Sequence, residues 1–269
     1  MPVSAVLLAA GESTRMGSPK ALLPWEGTTL LEYQVQQLLQ SRCAEVVVVL
    51  GHEAGRLQGL LSTLAHRPLS RVDRRGRQRP LKALDGAGSA GSIYRSQPRV
   101  AAGETRSALE TGRTLRQAPG NVETEADPTA SSPACHCKPL RVVHNSDYRS
   151  GKCSSIRAGV EALSPGATGV LILGVDQPRP AWILDLIAER HAASAALITV
   201  PLHSGRRGHP PLFAADLFSE LRHLSEERQG LRDVLRRHAS DVHLVEIDSP
   251  LIWVDLNRPE DYQAAQRPT

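Results

Sequence analysis

Seven short apolar runs, with helical patterns between the first five, constrain this chain more than any other feature. They read VSAVLLA, AEVVVVLG, LRVVHN, GVLILGVD, SAALITVP, VHLVEID and LIWVDL. Each is rich in Val, Ile and Leu, as expected of strands buried on both faces. TTLLEYQVQQLLQS places Leu31, Val35, Leu38 and Leu39 on one helical stripe, and Thr29 with Glu32 has the spacing of a capping box. PRPAWILDLIAERHAA carries Pro180 where a first helical turn accepts proline. Strands alternating with helices predict a largely parallel sheet covered on both faces. Ligands of such sheets bind beyond the carboxyl ends of the strands.

One stretch breaks the pattern. Residues 67–138 are rich in Arg, Gly, Pro, Ser and Ala and carry no sustained periodicity. A connection of roughly 70 residues far exceeds the usual length. Its composition buries too little apolar surface to offset the entropy of ordering. It reads as a disordered or weakly ordered insertion in a single domain spanning 1–269, with SALETGRTLRQ as a short helical candidate. Aromatic residues are 3% of the chain, so the core must be built from Leu, Val, Ile and Ala. The net charge of +4 is too mild to argue for nucleic acid, and no nucleic-acid signature accompanies it. It suits anionic small molecules. No run approaches the length of a membrane span. MPVSAVLLAAG lacks a basic leader and reads as a first strand rather than a signal peptide. The spacing of Cys43, Cys135, Cys137 and Cys153 suggests no disulfide framework, so a cytoplasmic location is expected. The Cys135–Cys137 pair is too close in sequence to chelate one zinc well, and Cys153 reads as a small buried hydrophobe.

LLAAGESTRMGSPKALLPW, residues 7–25, runs from the first strand toward the first helix. A plain connector needs one turn glycine and a few polar residues. This loop offers Gly11, Arg15, Gly17 and Lys20. Glycines let a backbone approach a ligand closely, and several N–H groups can then converge on phosphate oxygens. Arg15 can grip a phosphate bidentately, and Lys20 adds a mobile point charge. A solvated turn with basic residues facing water is the other reading. The loop is not a P-loop, because Lys20 is followed by Ala21.

LAAGESTRMGSPKALLPW resembles the signature loop of the MobA-like nucleotidyltransferases, and within them the molybdenum cofactor cytidylyltransferases of the MocA type. Four further motifs agree in order. VVHNSDYRSGKCSSIRAGVEAL is similar to the family's Asn–Gly–Ser segment and LILGVDQPRP to its metal-binding Asp motif. GRRGHPPLF is similar to its Gly-His-Pro loop and WVDLNRPEDY to its closing Asp motif. The resemblance covers nearly the whole chain except the insertion. It implies a Rossmann-like three-layer α/β/α sandwich with a mostly parallel sheet, of the nucleotide-diphospho-sugar transferase type. It implies transfer of CMP from CTP to molybdopterin carrying molybdenum, with Mg²⁺ and release of pyrophosphate. A molybdoenzyme of the xanthine dehydrogenase type is the implied recipient. Ala9 and Ala10 before Gly11 resemble the cytidylyl type, since guanylyl relatives tend to have a second glycine there. A sugar or polyol phosphate acceptor, and a non-catalytic cofactor-delivery protein, are the competing readings.

The resemblance also assigns residues. Ala9, Ala10, Gly11, Gly17 and Lys20 bind nucleotide; Arg15, Lys20 and Asp176 are catalytic. Asp176 follows GVLILGV, so it sits at a strand end, where one or two carboxylates plus phosphates satisfy Mg²⁺; it would equally suit a helix N-cap. Asp255 is the second metal candidate, or a turn aspartate. The family's further acidic residue two positions on is Asn257 here. Asn145, Gly151 and Ser154, with Ser155, bind the acceptor or nucleotide, although Ser154 can cap a helix instead. Gly208, His209 and Pro210, behind Arg206 and Arg207, complete the acceptor side, or form a solvated basic turn.

Overall fold

The computed structural model describes residues 2–13, 16–64 and 138–266, and the backbone of 70–72 and 78–80. Arg15, the helical candidate SALETGRTLRQ, Cys135, Cys137 and most of the 67–138 insertion lie outside the described residues.

The strands are β1 (Val3–Ala9), β2 (Pro24–Trp25), β3 (Thr28–Thr29), β4 (Glu45–Leu50), β5 (Ser70–Val72), β6 (Gln78–Pro80), β7 (Leu140–His144), β8 (Gly169–Gly174), β9 (Ile198–His203), β10 (Arg206–Arg207), β11 (Leu212–Ala214) and β12 (Val242–Glu246). The helices are α1 (Leu30–Gln40), α2 (Ala54–Leu64), α3 (Lys152–Glu161), α4 (Ala181–Ala192), α5 (Phe218–Arg222), α6 (Leu231–Arg237) and α7 (Pro259–Ala265). The main sheet runs β10-β9-β11-β8-β1-β4-β7, and β12 pairs with β9. The pairs β8–β1, β1–β4, β4–β7 and β9–β12 are parallel, whereas β11 is antiparallel to both its neighbours and β10 to β9.

Strand β1 shows why the runs read as continuous rather than alternating apolar. Ala5 and Leu7 pack into one buried cluster with Leu31, Val35, Leu38 and Ile183 from α1 and α4. Val6 and Leu8 pack into a second cluster, on the opposite face, with Ile156, Val160 and Leu221 from α3 and α5. Both faces are covered, so every residue of β1 is buried. This is the expected Rossmann-like α/β/α sandwich. Burying each such aliphatic side chain contributes about 1.5–3 kcal/mol.

Helix α1 begins where its sequence says. The Thr29 side chain accepts from the Glu32 N–H, and the Glu32 carboxylate accepts from the Thr29 N–H, a complete capping box. Pro180 stands one residue earlier than expected, as the N-cap of α4 rather than its first helical residue. LIWVDL is not a strand. Pro250–Trp253 forms a 3₁₀ turn, and the segment after it runs outside the sheet. Pro250 starts the turn, the Ser249 hydroxyl accepts from Leu251 N, and the Ile252 carbonyl is taken by His209 N rather than by a neighbouring strand. The strand that fills the sheet is β11, behind Pro210 and Pro211, which hide it in the sequence.

The topology fixes where a ligand can sit. From β1 the chain crosses to β4 and β7 on one side, while β8 lies on the other. The reversal between β1 and β8 opens a crevice beyond their carboxyl ends. Among the described residues, no helix is long and apolar enough to cross a membrane.

Candidate active site

A cleft of about 350 Å³ opens at that point, lined by the ends of β1 and β8, by Gly11, Ser13 and Pro19 to Ala21 of the loop after β1, and by the start of α3. The loop is shaped by its own hydrogen bonds. Ser13 turns with a positive φ of 56°, its carbonyl accepts from Met16 N at 2.9 Å, and its hydroxyl accepts from Lys20 N at 2.9 Å. Lys20 then begins a 3₁₀ turn whose Ala21 is buried, which anchors the backbone while the lysine side chain reaches across the cleft. Its ammonium donates to Asp176 Oδ2 at 2.7 Å and to Asn257 Oδ1 at 2.8 Å.

Asp176 does not cap α4, whose N-cap is Pro180 with no side-chain cap bond. Its loop is held instead by buried glutamines of α1. Gln34 Nε2 donates to the Gln177 carbonyl at 2.6 Å, and Gln37 Oε1 accepts from Ala181 N at 2.9 Å. Gly174 leaves room for the carboxylate, since a Cβ there would stand 2.4 Å from Asp176 Oδ1. The Asp176 carbonyl accepts from Leu256 N at 2.9 Å, which brings the 254–257 segment alongside.

The remaining expected residues divide. Ala9, Ala10, Gly11, Lys20, Gly151 and Asp176 line one cleft, with Ser155. Gly17, Asn145, Ser154, Gly208, His209, Pro210 and Asp255 do not line it. Asn145 and Ser154 are buried and bonded to one another: Asn145 Nδ2 donates to Ser154 Oγ at 2.8 Å and to Ser155 Oγ at 3.0 Å. They hold the turn before α3 rather than present free donors. Ser154 is not the cap of α3 either. Gly151 is the N-cap, at a φ of 117°, and the Glu226 carboxylate accepts from Cys153 N at 2.6 Å. Burial and that carboxylate push the Cys153 thiol up to about 11, so it stays neutral, as its reading as a buried hydrophobe requires. Gly208–Pro210 stands on a separate loop, tied to the 250–255 segment by His209 N to Ile252 O at 2.9 Å. Surrounding protein and the Arg179 charge hold His209 below the ordinary imidazole value, although the residue is exposed.

The donor set fits a hard divalent cation. Asp176 and Asn257 offer oxygens that converge on one point, since a single ammonium reaches both. Among the described residues no three His, Cys, Asp or Glu side chains gather at a metal-sized site. An ion here would therefore need oxygens from a bound phosphate as well.

Sequence reasoning missed Ser13, His52, Tyr148 and Lys152, which also line the cleft. His52 N donates to the Ala10 carbonyl at 3.0 Å, and its ring lies 6.2 Å from that of Tyr148. His52 follows β4 and Lys152 opens α3, so a search of the residues after each parallel strand would have found both.

Comparison with known proteins identifies the family and the fold. A sequence model of the family described as MobA-like NTP transferase domain matches residues 5–100 and 103–242. A molybdenum cofactor guanylyltransferase of Xanthomonas euvesicatoria is 44% identical over 77 residues, 24% of this chain and 40% of that protein. A nicotine blue oxidoreductase of Paenarthrobacter nicotinovorans is 53% identical over 53 residues, 19% of this chain and 26% of that protein. These two alignments thus span less than half of either relative. The molybdenum cofactor cytidylyltransferase of Escherichia coli is 20% identical over 98% of this chain and 95% of its own. In fold, Rv0371c of Mycobacterium tuberculosis superposes with a TM-score of 0.62 at 20% identity, covering 98% of this chain and 97% of that one. A second structure of Rv0371c, in complex with manganese, gives 0.57 at 20% identity, covering 98% and 97%.

Proposed function

This chain belongs to the MobA-like NTP transferase family, and on that premise we propose that it transfers CMP from CTP to molybdenum-loaded molybdopterin, releasing pyrophosphate. One observation carries the reading: a lysine from the loop after β1 meets a carboxylate from the end of β8 across a cleft open at the sheet's switch point. A triphosphate placed there would meet the backbone at Gly11, the Lys20 ammonium and Lys152 at the start of α3. Leu57 and the Tyr148 ring, both in the lining, offer apolar surface for the base.

The acceptor's phosphate monoester is already anionic near neutral pH, so the chain need not supply a strong base. Its residues position the α-phosphorus and the attacking oxygen and stabilise charge on the departing pyrophosphate. Lys20 leaves its bond with Asp176 for a phosphate oxygen, and Arg15 is assigned to the same task. Asp176, with Asn257 or Asp255, would hold Mg²⁺. When bound, that ion would neutralise charge on the phosphates and template their orientation. The loop of Gly208, His209 and Pro210, together with Asn145, Gly151 and Ser154, is assigned to the acceptor. A cytoplasmic enzyme serving a molybdoenzyme of the xanthine dehydrogenase type goes with this reading.

The local identity to a guanylyltransferase favours GTP as the second reading, while Ala9 and Ala10 and the full-length similarity to a cytidylyltransferase favour CTP. Incubating the protein with each NTP, Mg²⁺ and molybdenum-loaded molybdopterin, and measuring pyrophosphate, separates them. Release with CTP and not GTP is expected. Release with GTP alone would reverse the base assignment, and release with none would reject the transferase reading for this acceptor.

A further inference from the structure

Among the described residues Arg179 is the largest of the fully buried side chains, at 0% exposure, and no step above uses it. Its Nε donates to the His209 carbonyl at 2.9 Å. Nη1 donates to the carbonyls of Pro178 and Val254, each at 2.9 Å, and Nη2 to that of Ile252 at 2.9 Å. Its own backbone N–H is fixed by Gln34 Oε1 at 3.1 Å. All four side-chain acceptors are main-chain carbonyls. Three of them belong to two other loops: the one that carries His209 and the one that leads to Asp255 and Asn257.

A cation taken wholly out of water is costly unless its hydrogens find acceptors. A chain that needed only filler here would place an aliphatic residue. What arginine adds is a rigid planar fork with five N–H donors in fixed directions, which a lysine ammonium does not reproduce. Burial draws Arg179 down to about 10, partly offset by the nearby carboxylates of Asp255 and Asp176, so it stays charged at neutral pH. The loops it holds also touch each other and the Asp176 loop, through His209 N to Ile252 O and Leu256 N to Asp176 O. Gly208 packs so closely on Ile252 that a Cβ there would stand 2.6 Å from its carbonyl oxygen.

We infer that Arg179 is a positioning residue, whose guanidinium fork locks the 208–210 and 252–257 loops against the loop that carries Asp176. Among the described residues, its hydrogen bonds reach neither Gly11 and Lys20 nor Leu57 and Tyr148 of the cleft lining. Its loss should therefore separate nucleotide binding, which survives, from transfer to the acceptor, which does not. The functional half of this statement rests on the proposed transferase reading; the structural half does not.

The test uses the full chain with Arg179→Lys and Arg179→Met. Amide hydrogen exchange is followed by mass spectrometry in peptides covering 205–212 and 250–258, with 3–20 and 145–160 as internal references. CTP binding is measured by calorimetry without added divalent metal, and transfer by pyrophosphate release with Mg²⁺ and molybdenum-loaded molybdopterin. Both variants should exchange faster in the first two peptides and unchanged in the references. CTP affinity should be retained, while turnover falls by roughly 10²-fold in the methionine variant, the scale of a small misplacement of reacting groups. Lysine keeps the charge but not the fork and should recover part of that loss. Unchanged exchange at 205–212 and 250–258 would overturn the inference, as would loss of CTP binding in step with turnover. If the methionine variant does not fold, the lysine variant decides on the same criteria. If the wild type transfers to no acceptor, the transferase reading falls while the exchange data still decide the role of Arg179.

Discussion

Lys20 and Asp176 meet at 2.7 Å with side chains only 13% and 23% exposed, a direct and largely shielded ion pair. Replacing Lys20 with alanine should lower turnover by roughly 10²- to 10³-fold, the usual cost of removing one partner of transition-state charge. Pyrophosphate release reduced by that factor in a variant that still folds cooperatively would show it; near-normal turnover would remove Lys20 from the mechanism. Asp176→Asn keeps shape and leaves one weak oxygen ligand. Its turnover should fall, and raising Mg²⁺ should restore part of it, because a triphosphate still supplies oxygens. Turnover curves against Mg²⁺ that overlap those of the wild type would reject the metal role. Both residues were legible in the sequence because a charge at a strand end, beside a glycine-bearing loop, is a local pattern. Asn257 was legible only as the neutral residue at the family's further acidic position, and Arg179 not at all, because their partners lie 237 and up to 75 residues away, which no local pattern encodes.

Helix α3 lies unusually close to the sheet at Gly159, where a Cβ would stand 2.4 Å from Val6 Cγ1 and 3.1 Å from Val49 Cγ2. Gly159→Ala should therefore destabilise the fold by about 1–3 kcal/mol through overpacking, readable as a lower denaturation midpoint. Because α3 presents Gly151, Lys152 and Ser155 to the cleft, CTP should also bind more weakly. Helix α4 carries a different vulnerability. His191 is buried with Nδ1 on Thr199 Oγ1 at 2.8 Å, and burial holds its pKa below the ordinary value. Below about pH 6.5 the unfolded chain takes a proton that the folded chain resists, so stability falls as pH drops from there. His191→Gln should flatten that decline in melting temperature, though only in part, because His209 is shifted the same way. The capping box and apolar stripe of α1 could be read directly, since both are short-range. LIWVDL could not, because an apolar run does not say whether its carbonyls will meet a strand or the N–H groups of a loop.

At the scale of the molecule, β4 and β7 are parallel neighbours, and α2 already supplies the crossover between them. The sequence from the end of α2 to Leu140 therefore exceeds what the connection needs. We propose that one nucleotidyltransferase domain spans the chain and that the excess is a surface insertion. Replacing residues 81–137 with a short Gly-Ser linker should leave the melting temperature and CTP binding near wild type, since loop closure changes by only about 0.6 kcal/mol per doubling of length. A deletion that unfolds the protein would show the segment to be part of the core. The same spacing sets a timetable during synthesis. Strand β4 ends at Leu50 and its partner β7 begins at Leu140, about 90 residues later. At ribosomal speeds that interval lasts roughly 5 to 20 s. For that time the edge of β4 emerges with its N–H and C=O groups unmatched, a template for pairing with other nascent chains. The other edge of β1 waits longer still, until β8 is made at Gly169. Each residue added to the insertion extends the time for which the newborn sheet stands open.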